Sequence, residues 1–484
     1  MKVSWKTLQI RQCVYRMEKK KVNGSISIFL ALTITMMLSF CMILIESARE
    51  NAMLLKADMI FDTGMRCLAA EYHQKLWEEY DLFYVDCSYG AGIPDYGKVK
   101  SHLESYVEEN LKYDTRGWFA LNYQDCQISE VSLATDQGGT DFYLQAVQAA
   151  EASVGITYIE QALGWLEQVE STRYVSESIE SESRQTEETI DGVNGTSVKV
   201  EDAVWGVDEE GEPVLLEDAK YETVNISNPL DQILSGNILL RQIVSDISEV
   251  SVNRIDTSFL ASNRGLAAGD SDDSDSADGI WKKAFFCKYA LDHFESYMDS
   301  DHSAQNGLAY PLEYLIGGKA ADAQNMEIVM AELLVIREID NYLMLIQDEA
   351  KKAEADAIGA AAATLVPWAG PIVAQGVLIY WAYEESVEDL QSLLRGESVP
   401  LVKSIGLEAV SNFSLDYEDY IFILLLMQGR EKLTMRAMDM IEVKVREEQS
   451  DFRMDACISR AAFTGTFTDI YDKKYTITDK FQYY

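Results

Sequence analysis

The chain has 484 residues, 48% of them hydrophobic and 25% charged, and a formal net charge of −39. An acid excess of that size argues against nucleic acid and anionic lipid headgroups as partners. Seven cysteines at irregular spacing do not make a disulfide framework; one bridge such as Cys87–Cys126, or isolated thiols packed as small hydrophobes, are the two readings left.

Residues 1–24 carry seven basic side chains, ending in Lys19-Lys20-Lys21, against the single acid Glu18, a net +6 that leaves −45 for residues 25–484. From Ser25 through Phe29 to Ile45 the chain then runs for 21 residues without a charge, and Glu46 ends the run. As a helix that run spans roughly 30 Å, the thickness of a bilayer core. The charge bias predicts a single-pass protein of the cell membrane, with its N-terminal tail cytoplasmic and its body extracytoplasmic. The rival is a cleaved secretory signal, which has a shorter apolar region and an A-x-A site; the residues after Leu44 lack one.

No proline interrupts residues 46–80, and Phe61, Met65, Leu68, Tyr72 and Leu76 fall on one helical face. The anchor therefore either continues to Tyr80 as a helix of 56 residues, about 84 Å long, or breaks near Glu46 before a separate core helix; Gly64 is its weak point. Residues 46–172 read as a helix-rich membrane-proximal region with some strand: strands over 82–85 and 126–133, helices over 96–113 and 142–171. Residues 173–224 are rich in Ser and Glu with few large apolar residues, and predict an acidic flexible linker or insertion.

Residues 225–484 read as a helical extracytoplasmic domain. Its acidic tract over 269–279 resembles a calcium loop but fails the EF-hand spacing, with Phe285 where the twelfth-position Glu should stand. Helices are predicted over 281–299, 323–355 and 417–446, the last holding an Ile421–Met427 run that must be buried on all sides. Residues 357–383 lack charge, but Pro367 and Pro371 split them into pieces too short to cross a bilayer. A helical hairpin over 357–395, buried or apposed to the membrane, is the favoured reading; a true span or re-entrant hairpin is the other. The end of the chain, from Ser459, has the alternation of a β-hairpin. The fold class is α+β, mostly helical, with an N-terminal transmembrane helix and a small C-terminal β element.

Catalytic signatures are missing from the sequence. His73, His102, His293 and His302 form no zinc motif, and His73 reads as a surface residue. Gly317-Gly318-Lys319 lacks the Ser or Thr and the upstream Gly of a phosphate loop. No enzyme activity, no cofactor, no metal and no small-molecule substrate is expected.

The block Asn23 to Leu32, with Ile45-Glu46-Ser47-Ala48-Arg49, resembles the N-terminus of TadE/TadG-like pilus-associated proteins. More closely, blocks such as Glu79–Tyr84, Asn228–Asp231, Tyr310–Lys319 and Leu415–Tyr420 resemble large single-anchor proteins of unknown function in Gram-positive anaerobes, typically encoded beside Tad/Flp pilus components. The resemblance implies a role in, or next to, a pilus-like assembly, with other pilus or secretion-system membrane proteins as partners. Prepilin-type cleavage after Gly24 would place Phe29 where such processing favours Glu, which implies an accessory component rather than a bulk subunit. The alternative is a sensory or adhesive ectodomain on a generic anchor. Within the resembling blocks, Tyr310, Glu313, Lys319, Asp322, Asn325, Arg337 and Asn341 are the candidate contact or structural residues. Helix capping and buried pairs such as Glu313–Arg337 are the bland reading of them, and partner docking the sharper one.

Overall fold

The computed structural model describes residues 24–112, 117–153, 155–195, 197–201, 204–207, 213–217, 220–223, 228, 230, 239–244, 250–264, 277–299, 307–364, 366–403 and 414–483. In chain order these form α1 (Gly24–Ala69), α2 (Gln74–Tyr80), β1 (Val85–Asp86), α3 (Tyr96–Leu111), β2 (Leu121–Leu133), α4 (Asp136–Ser153), α5 (Ile156–Thr172) and α6 (Tyr174–Val193). Four short strands follow, β3 (Ser197–Glu201), β4 (Val204–Val207), β5 (Pro213–Glu217) and β6 (Lys220–Thr223), then α7 (Leu239–Ile243) and α8 (Ala277–His293). Next come α9 (Pro311–Gly317), α10 (Asp322–Gln347), α11 (Glu349–Ala363), α12 (Gly370–Leu394), β7 (Val399–Pro400) and β8 (Ser414–Leu415). The chain ends in α13 (Tyr417–Met427), α14 (Arg430–Arg446), β9 (Cys457–Asp469) and β10 (Lys474–Gln482). The fold is α+β and mostly helical, and its strand pairs are antiparallel where a register is defined.

Two compact units divide the chain, and they do not follow sequence order. The smaller holds the described residues up to Ala70 with Val99–Glu130 and Ala462–Phe481; the larger holds Glu71–Lys98, Val131–Ala461 and Gln482–Tyr484. This corrects the division into 46–172 and 225–484. Strand pairing joins segments far apart in sequence, and periodicity within a segment carries no trace of which partner it takes.

In the smaller unit, α1 is one unbroken helix of 46 residues, roughly 69 Å long. Its large apolar side chains from Ile26 to Ile45 are 49% to 77% exposed. Thr33, Thr35 and Ser39 turn their hydroxyls back onto carbonyls three or four residues earlier, which satisfies them without outside partners. Past Ile45 one face becomes buried: Arg49, Met53, Ala57, Phe61, Met65 and Leu68. That face lies on the β9–β10 hairpin and on α3. Gly465 in β9 leaves the room that the Phe61 ring fills, since a Cβ there would stand 2.5 Å from it. Gly64 does not weaken the helix; a Cβ on it would stand 2.9 Å from Val107, so it sets the approach of α3. α1 stops at Ala69 rather than reaching Tyr80.

In the larger unit, His73 ends the possibility of a continuous helix. Its backbone is extended, its N–H donates to the Tyr84 carbonyl, and its Nδ1 accepts from the Leu76 N–H as the cap of α2. The expected surface histidine is thus a half-buried cap. The acidic stretch from 173 is also corrected. Residues 174–193 are α6, because Val175, Ile179, Thr186 and Ile190 share a face that docks on α10 and α12. Beyond it Ser197–Glu201 pairs with Lys220–Thr223 and Val204–Val207 with Pro213–Glu217. The calcium-like tract lies outside the described residues up to 276, and its last residues begin α8.

The expected helix over 323–355 is two, because Asp348 turns extended and caps α11 through the Ala350 and Lys351 N–H groups. The helix over 417–446 is likewise split into α13 and α14 at Gln428 and Gly429. Within α13, Ile421 to Leu426 are buried as required. α11 and α12 form the hairpin expected at the prolines, crossing so closely at Gly359 that a Cβ there would collide with the Gly370 carbonyl. α12 is buried through Val373, Val377, Ile379 and Leu390, whereas α11 buries Ala355, Gly359 and Ala362 and leaves Ile358 44% exposed.

Candidate functional site

At the end of the apolar run, Arg49 is 2% exposed and makes the junction of the smaller unit. Its guanidinium donates to Glu46 at 3.0 Å, to Asp469 at 2.8 Å and to the Trp118 carbonyl at 3.2 Å, and stands over the Tyr471 ring at 4.6 Å. Asp469 in turn accepts from the Tyr471 and Lys473 N–H groups, shaping the turn between β9 and β10. Of the residues proposed for the anchor, Phe29 is exposed and Glu46 pairs with Arg49, while Ser25 and Ile45 bound the bare section.

The candidate polar residues lie in the larger unit and fall into two sets. In the first, Asp322 accepts from the Ala309 and Tyr310 N–H groups, and the Tyr310 hydroxyl accepts from the Ser251 N–H. Asn325 bonds both backbone groups of Lys319, whose side chain is exposed. Glu313, fully buried, accepts from the Tyr297 N–H and the Tyr417 hydroxyl at 2.8 Å each, and its second oxygen has no hydrogen-bond partner. These bonds hold the turns on either side of α9, whose C-terminus needs Gly318 in the left-handed region at φ 64°.

Arg337 and Asn341 make the second set. The expected Glu313–Arg337 pair does not form. Arg337 is 0% exposed and pairs with Asp340 at 3.1 Å and Asp389 at 3.0 Å. It also donates to the Pro400 and Leu401 carbonyls and to Tyr420. Asn341 donates to Asp389 and Ser386, and Lys403 pairs with Asp389 at 2.6 Å. Two cations face two carboxylates, so the cluster is neutral where desolvation would penalise a net charge most. Arg337, Asp340 and Asn341 share one face of α10, and that much is legible as i, i+3, i+4. Asp389 and Lys403 arrive through tertiary structure.

A third buried group was not anticipated. Asp439 and Glu442 of α14 are fully buried; Glu442 pairs with Arg264 at 2.8 Å, and Asp439 accepts from Tyr314. Their i, i+3 spacing among the apolar residues Met438, Met440, Ile441 and Val445 was the available signal.

Burial raises the Glu313 carboxyl from 4.5 to about 7, against the Tyr297 and Tyr417 donors that favour its charged form. A carboxyl that holds its proton more tightly when folded adds stability that is complete below about pH 4.5 and lost as pH rises through about 7. Glu313→Gln keeps the acceptor oxygen and removes the titration. It should therefore flatten the pH dependence of urea unfolding across that window by on the order of 2–3 kcal/mol. Equal slopes for the two proteins would refute a neutral buried Glu313.

Surface clefts of about 730 Å³, beside Lys351 and Trp381, and about 330 Å³, beside His293 and Lys444, take none of the candidate residues into their walls. Among the described residues no group of His, Cys, Asp or Glu is placed to hold a metal. Cys41, Cys67, Cys87, Cys126, Cys287 and Cys457 are free thiols, which answers the Cys87–Cys126 question; Cys13 lies outside the described residues. Burial pushes the Cys87 and Cys287 thiols up to about 12, so they pack as inert groups.

A model described as a family of unknown function (DUF5702) matches residues 218–469, more than half of the chain. The chain belongs to this family. The DUF5702 segment takes in all three buried polar groups and ends on Asp469, the partner of Arg49. No curated protein and no solved structure matches the chain. One described helix, α1, is long and apolar enough to cross a membrane, a requirement that a signal sequence meets as well.

Proposed function

We propose that this DUF5702 protein is a non-enzymatic cell-envelope protein, an accessory component of a Tad/Flp-type pilus or related secretion system. In this reading α1 is a retained single-pass anchor with the N-terminus in the cytoplasm and the body outside. The protein acts through helix packing in the bilayer and protein contacts beyond it. The carrying observation is the single unbroken helix whose first half is left bare by the described residues and whose second half is clamped by Arg49, Phe61 and Gly64. A neighbour packed against residues 25–45 is thereby coupled through one helix to the rest of the smaller unit. The polar residues 310–341 support the reading by being engaged mainly with backbone groups and neutral pairs, as a scaffold requires.

The test replaces residues 25–45 by an unrelated apolar span of equal length. The expected result is a folded, membrane-bound protein that no longer co-purifies with pilus-system membrane components and no longer supports assembly. Unchanged assembly would remove the pilus reading and leave an interchangeable anchor carrying a sensory or adhesive ectodomain.

A further inference from the structure

Two loops of the smaller unit carry four exposed large apolar residues that the reading above leaves without a task. Trp118 and Phe119 sit in the loop before β2, and Ile470 and Tyr471 in the turn between β9 and β10; they are 46%, 45%, 49% and 62% exposed. The geometry points to a footing: these two loops seat the ectodomain in the phospholipid headgroup layer from which α1 emerges. The inference rests on the reading of α1 as a retained span.

Depth decides it. Glu46 is the first charge after the apolar run, so the hydrocarbon boundary falls at about Ile45. Helical side chains lean toward the N-terminus. Arg49 does so, reaching back to Glu46 at 3.0 Å, and its guanidinium therefore lies level with the first charged position rather than a turn beyond it. The Tyr471 and Trp118 rings stand 4.6 and 6.0 Å from that guanidinium. Each headgroup layer is roughly 5–8 Å deep, so both rings fall within it. Rings with one apolar body and one polar edge are favoured at that depth.

The footing is fixed to the helix. The Trp118 carbonyl accepts from Arg49 and the Phe119 carbonyl from Lys56, the latter at 2.8 Å. Lys473 pairs with Glu50 at 2.5 Å, and Arg49 with Glu46 and Asp469. Arg49 and Lys473 at the footing are thus matched by carboxylates, which suits zwitterionic headgroups.

The experiment uses the full-length protein in phosphatidylcholine vesicles whose acyl chains are brominated close to the headgroup, a short-range quencher of tryptophan. Wild type and W118F are compared, so that the other tryptophans cancel. F29W reports the span, and Y471W in the W118F background reports the second loop independently. The expected result is loss of most of the Trp118 emission, and of the Y471W emission, in bromolipid relative to plain lipid, with F29W quenched as well. If F29W is quenched while Trp118 and Y471W are not, the footing is overturned and the anchor stands. If F29W is not quenched, anchor and footing fall together.

Discussion

Arg337→Leu is expected to destabilise the folded protein by about 3–5 kcal/mol, the loss that follows when one partner of a buried ion cluster is removed. Leucine fills much of the volume and supplies no charge. Asp340 and Asp389, 7% and 9% exposed, are left with Lys403 as their remaining cation. The Pro400 and Leu401 carbonyls lose their donor, and β7 loses its tie to α10. Burial already raises the Asp340 carboxyl despite its neighbouring Arg337. Without the arginine the Asp340 carboxylate takes up a proton more readily, so the penalty should shrink as pH falls. Urea unfolding of the detergent-solubilised chain, at neutral and at acid pH, measures both effects. Pairing the substitution with D389N should recover part of the loss, since the orphaned charge is then gone. A penalty that is the same at both pH values and unrelieved by D389N would assign the effect to packing instead.

Phe61→Ala is the second large effect, about 3–5 kcal/mol for emptying a buried aromatic site, and it falls on the smaller unit. The ring is 0% exposed and meets Phe467 edge-on at 6.2 Å. Its other wall is Gly465, which has no side chain with which to fill the space. Alanine at 465 alone should also destabilise, because its methyl would meet the ring at 2.5 Å. In the F61A background the same methyl enters an empty site and should recover stability. The effect of G465A therefore changes sign with the residue at position 61, and the coupling is read from the unfolding midpoints of the two singles and the double. Protease access to the β9–β10 hairpin provides a local readout. Additive effects would mean that Phe61 and Gly465 do not share one site in solution.

Elements that a single local rule governs were legible in the residues. The charge-free run to Ile45 is helical because a segment so apolar satisfies its backbone internally. Ile421 to Leu426 are buried because six consecutive large apolar residues leave a helix no wet face. The break at Pro367 to Pro371 and the C-terminal hairpin follow from proline geometry and period-two alternation. α6 shows where the rule was applied too coarsely. Its composition is that of a linker, yet Val175, Ile179, Thr186 and Ile190 stand at helical spacing, and one buried stripe against α10 and α12 is enough to order it.

What the residues determined by themselves is the long apolar helix up to Ile45, the mostly helical class and the positions of the strongest breaks, since each depends on hydrophobicity or backbone geometry within a few residues. Tertiary structure alone decided that α1 ends at Ala69, that Arg337 turns to Asp389 rather than Glu313, and that the last strands belong beside α1. Those outcomes depend on which distant side chain supplies a counter-charge, a cap or a strand partner, and in a chain this rich in acids many residues could have answered each need.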